Sequence, residues 1–88
     1  MTYLVLAVHN VSRQLYPIDS YEEYGTATYA ASLRKSTTNA SVYIYTPENR
    51  MWFTFDTATS NYDPPDNWQK CSESVVPSEL RAIALLHN

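Results

Sequence analysis

The side chains that could do bond-making chemistry in this 88-residue chain are few: one cysteine, Cys71, two histidines, His9 and His87, and nine scattered carboxylates. Cys71 and His9 are the residue types of a thiolate nucleophile and its base, but any chain holding both presents that pair, and an inert half-buried thiol is the simpler reading. None of the three soft or imidazole ligands has a partner two to five residues away, so no zinc site is expected, and no other cofactor. Asp63 and Asp66 flank Pro64 and Pro65. Paired carboxylates can do acid–base work, yet Asp-Pro-Pro-Asp is an ordinary solvated turn. The single glycine, Gly25, excludes the P-loop, the dinucleotide fingerprint, the nucleophile elbow and the glycine-bearing RNA-binding signatures, each of which needs two or more glycines. The chain is therefore expected to be non-catalytic.

What the sequence does carry is a band of aromatic rings. Ser41 to Asp56 reads as a β-hairpin around the loop Pro47, Glu48, Asn49 and Arg50. That register sets Thr46 opposite Met51, Tyr45 opposite Trp52, Ile44 opposite Phe53, Tyr43 opposite Thr54 and Val42 opposite Phe55. One face then carries Val42, Ile44, Phe53 and Phe55, and the other Tyr43, Tyr45, Trp52 and Thr54. Three readings compete for the second face. A long loop and a second helix cover it; or it is the centre of a protein interface, where Tyr, Trp and Arg dominate and Arg50 at the hairpin tip contributes; or it stacks single-stranded bases, which needs a positive groove. If the loop covers only part of the face, its own Tyr62, Asp63 and Asp66 join Tyr43, Tyr45, Arg50 and Trp52 as the contact residues.

The elements that position these rings can be read in outline. Tyr3 to His9 is a continuous apolar run, as in a strand buried on both faces. Ser20 and Glu23 have capping-box spacing and predict a helix from Ser20 to about Arg34 or Lys35. That helix is rich in small residues, Gly25, Ala27, Ala30, Ala31 and Ser32, and Gly25 predicts a closely approaching backbone. Thr57 to Val76 reads as an irregular excursion, with Trp68 expected against Tyr43, Tyr45 or Trp52. Ser78 caps a second helix with the stripe Leu80, Ile83, Ala84 and His87. The sum is one small α+β domain of order β-α-β-β-(long loop)-α, with a three-stranded, mainly antiparallel sheet packed on the first helix. Leu4, Leu6 and Val8 are expected beneath that helix, and Tyr3, Val5 and Ala7 on the ring-bearing face.

Composition narrows the partners. A net charge of −3 with scattered cations leaves no electrostatic footprint for duplex nucleic acid. The lone cysteine argues against a disulfide scaffold and fits a reducing cytoplasm, and no segment approaches the roughly 20 apolar residues of a membrane span. The expected function is a protein-binding module that occupies a surface of a larger protein or ribonucleoprotein complex, in the style of small phage or mobile-element inhibitors of host defence such as CRISPR effectors. Self-association as a homodimer is a further possibility. The rivals are an accessory protein for single-stranded nucleic acid and a small enzyme or enzyme subunit using His9 and Cys71.

Overall fold

The computed structural model describes residues 1–57 and 63–87. Its strands are β1 (Tyr3–His9), β2 (Asp19–Tyr21), β3 (Ala40–Thr46), β4 (Met51–Phe55) and β5 (Trp68–Cys71), with helices α1 (Tyr24–Thr37) and α2 (Ser78–Leu85). The strands form one antiparallel sheet in the order β2-β1-β3-β4-β5. The α+β class is as expected; the sheet has five strands rather than three. Both additional strands are short edges. Asp19–Tyr21 pairs with β1, so Ser20 sits opposite Leu4 in a strand and caps nothing. Trp68–Cys71 pairs with β4, and 3-10 turns at Pro64–Asn67 and Glu73–Val75 occupy much of the rest of the expected loop. No helix among the described residues is long and apolar enough to cross a membrane.

The hairpin register is the expected one at four positions, from Tyr43 opposite Thr54 to Thr46 opposite Met51. Beside it, β1 pairs with Leu4 opposite Tyr45 and Val5 opposite Ile44. Residues directly opposite in an antiparallel pair share a face, so this pairing reverses the expected assignment of β1. Val5 and Ala7 lie with Val42, Ile44, Ala27 and Ala31 under α1, while Leu4, Leu6 and Val8 join Tyr45 and Trp52 under α2. A strand apolar on both sides carries no alternation that could have fixed its parity. The same rule corrects Trp68: opposite Phe55, it lies on the α1 face, its ring edge-on to Phe55 and its Nε1–H donating to Ser32 Oγ at 2.9 Å.

Helix α1 begins at Tyr24 after Glu23, whose side chain makes no capping bond. Its alanines explain its closeness to the sheet, since Ala27 and Ala31 are wholly buried with no side chain beyond Cβ to hold the helix away. Gly25 plays no such part: a Cβ there would meet nothing within 4 Å, so the expected close backbone is absent. At the far end, Arg34 and Lys35 lie in the last turn, where cations suit the helix dipole. They also stand over the rings of Tyr16 and Phe55 at 5.0 and 5.3 Å. Helix α2 covers the opposite face with Leu80, Ala84 and the half-buried Ile83, and Val76 extends the same cover from the preceding turn; His87, expected in the stripe, is exposed. A bidentate pair, Arg13 Nε and Nη2 to Glu79 at 2.8 and 3.0 Å, ties α2 to the turn after β1.

Candidate functional site

The ring-bearing face is covered. Tyr45 and Trp52 are 3% and 4% exposed, their ring centroids 4.5 Å apart beneath α2. Tyr43 stands edge-on to Trp52 and donates its hydroxyl to the Val75 carbonyl at 3.2 Å. Burial pushes its phenol above the ordinary tyrosine range. A buried ring offers no open face to a base, so Tyr45 and Trp52 cannot act as the stacking platform of a single-strand binder. Their role is to form the floor and wall on which the hairpin tip and α2 meet.

Where those two elements meet, a groove of about 330 Å3 opens, lined by Tyr45, Arg50, Trp52, Glu73, Arg81, Ala84 and Leu85. Of the expected contact residues this groove gathers three, Tyr45, Arg50 and Trp52. It leaves out Tyr43 and also Asp63 and Asp66, which belong to the 3-10 turn packed beside α1; Tyr62 lies outside the described residues. It adds Arg81, Leu85 and Glu73. Arg81 and Leu85 are one helical turn apart, so the stripe of α2 holds the signal for both once that helix is set on the Tyr45 and Trp52 face.

The arginines divide by their partners. Arg13 pairs with Glu79 and Arg34 with Asp19. Arg50 and Arg81 have no carboxylate within ion-pairing distance among the described residues, and both line the groove. Arg81 donates its Nε–H to the Val76 carbonyl at 3.1 Å, which fixes the plane of the guanidinium and leaves its two terminal nitrogens for another acceptor. Arg50 ends the hairpin loop with φ at 53°, a left-handed conformation that glycine adopts without cost and arginine does not. Neighbouring Glu48 is engaged elsewhere, accepting from the Thr2 backbone N–H at 2.9 Å, a contact that lowers its carboxyl below the usual range. With Glu73 as the one carboxylate among the described residues of the lining, those residues make the groove locally cationic on a chain of net charge −3.

The residues of the enzymatic reading are not brought together. Cys71 aligns through Trp52 and Tyr45 with Leu4, five residues along β1 from His9. At about 3.4 Å per residue and about 4.8 Å per strand, that is roughly 17 Å along the sheet and about 14 Å across it. Burial pushes the Cys71 thiol up, away from the reactive thiolate. His9 is held by its turn: Nδ1 accepts from the backbone N–H groups of Val11 and Ser12 at 3.2 and 3.1 Å.

No protein-family model, curated protein or solved structure matches this chain.

Proposed function

We propose that this protein is a non-catalytic binding module that engages a larger protein or ribonucleoprotein through the groove between the β3–β4 tip and α2. The observation that carries the reading is the convergence on one groove of the two arginines that have no carboxylate partner among the described residues, Arg50 and Arg81, beside Leu85. Leu85 and the adjoining Leu86 are 71% and 83% exposed. Arginine next to exposed aliphatic surface is the composition of an interface centre, where the guanidinium supplies directional bonds and the apolar groups supply burial. A left-handed arginine at a loop tip is also a strained choice, and such strain concentrates at sites of contact. In this reading the mode of action is occlusion: the module sits on a partner surface in the reducing cytoplasm and blocks it, as small phage and mobile-element inhibitors do to host defence complexes.

Site-specific photocrosslinking tests the reading. A benzophenone side chain at position 86, beside the groove, should trap one stoichiometric partner from the source cell, and the adduct should vanish with Arg50→Glu plus Arg81→Glu. A benzophenone at position 33, on exposed α1, should trap little. Adducts from position 33 alone would refute the reading.

A further inference from the structure

Resting on that reading, we infer that the groove takes an acidic segment of the partner protein, an Asp or Glu side chain beside an aliphatic residue. Two features select this occupant. The first is charge: among the described residues of the lining, two guanidiniums without a carboxylate partner outnumber one carboxylate, Glu73, and Arg81, with Nε already tied to Val76, presents a fixed fork that matches a carboxylate. The second is the apolar surface beside that fork. Leu85 offers aliphatic contact, whereas the rings of Tyr45 and Trp52 are too buried to stack a base. A phosphate backbone would satisfy the arginines but leave Leu85 uncovered; an acidic residue next to Leu, Ile or Val satisfies both. The volume, about 330 Å3, is at the lower end for ligand pockets and suits a few side chains rather than a folded element.

The test is a titration of the 15N-labelled protein, followed by backbone amide and indole shifts, with three probes. These are the peptide acetyl-Gly-Asp-Leu-Glu-Leu-Gly-amide, its counterpart with Lys for both acids, and a ten-nucleotide oligo-dT. The acidic peptide should move the amides of Arg50, Arg81 and Leu85 and the indole of Trp52, saturably. Each of Arg50→Gly and Arg81→Gln should weaken it about tenfold, the loss expected for one charge-assisted contact of about 1.4 kcal/mol. Arg50→Gly also relieves the left-handed backbone, so lost binding there cannot be ascribed to lost folding. Arg81→Lys, which keeps the charge but not the fork, should weaken it severalfold. Stronger binding of the Lys peptide in the same groove would overturn the acidic assignment while the protein-binding reading stands. Groove shifts with oligo-dT that exceed those with the peptide and fall steeply with salt would overturn both in favour of nucleic acid. Concentration-dependent groove shifts without any probe would identify a second copy as the occupant and overturn the inference. An unmoved groove with all three probes also overturns it; the crosslink from position 86 then decides the reading on its own.

Discussion

Leu80 tests whether α2 is part of the cooperative fold or an appendage on it. Its side chain is wholly buried against Tyr45, Trp52 and the β1 leucines. Leu80→Ala removes three carbons, about 2.4 kcal/mol at about 0.8 kcal/mol per buried methylene. The cavity left under a short helix adds roughly 1 kcal/mol, giving about 3 to 4 kcal/mol. A chain of this size has a total stability of about 4 to 13 kcal/mol, so the variant should lose a large share of it and melt roughly 12 to 30 °C lower. The two indoles supply the assay, because Trp52 lies in the α2 cluster and Trp68 in the α1 cluster. In single-tryptophan backgrounds, Trp52→Phe and Trp68→Phe, urea unfolding of Leu80→Ala should give one midpoint by both indoles. A loss below about 1 kcal/mol, or a Trp52 transition well ahead of Trp68, would refute the claim that α2 closes one cooperative core.

Three further outcomes are expected. Gly25→Ala should stabilise the protein by about 0.5 to 1 kcal/mol in denaturant unfolding, since a helical glycine with open space around it offers only excess unfolded-state freedom; destabilisation would mean a neighbour approaches it after all. Glu79, held down to about 2 by its bonds with Arg13, should give acid sensitivity. Because its folded value is depressed, its contribution is complete above the usual carboxylate value of 4.5 and lost as pH falls toward 2. Glu79→Gln should therefore flatten the decline of Tm between pH 5 and about 2, and parallel Tm curves would contradict the pairing. His9→Ala should cost about 1 kcal/mol by chemical denaturation, whereas His9→Asn, whose Oδ1 can accept the same Val11 and Ser12 N–H groups, should recover most of it; equal losses would rule out the acceptor role.

The strongly patterned parts of the chain were readable and the doubly apolar or doubly polar parts were not. The β3–β4 register followed from alternation around Pro47 to Arg50, and α2 from its apolar stripe, although Pro77 rather than the expected Ser78 stands at its N-cap; α1 was reached through a capping box that does not form. Strand β1 lacked any alternation, so its parity, and with it the membership of both core clusters, came only from its pairing with β3. Strand β5 is hidden for the opposite reason: Gln69 and Lys70 are polar and exposed, so buried Trp68 at its start stands without the alternation that marks a strand. Strand β2 overlapped a plausible cap, and Ser20, opposite Leu4, serves the ladder instead. For the site, Arg50 and its two aromatic neighbours were visible locally. Arg81 was not, because its meaning depends on which sheet face α2 covers.

The central position of β1 bears on synthesis. This apolar strand is synthesised ahead of its long partner β3, which is finished only about 37 residues later. At 5 to 20 residues per second that delay is about 2 to 7 s, during which three-residue β2 and then α1 are the elements available to it, while α2, which covers its other face, is still to come. The nascent chain thus has a built-in interval of stickiness, and slow translation between positions 10 and 46 should raise its demand for holdase chaperones.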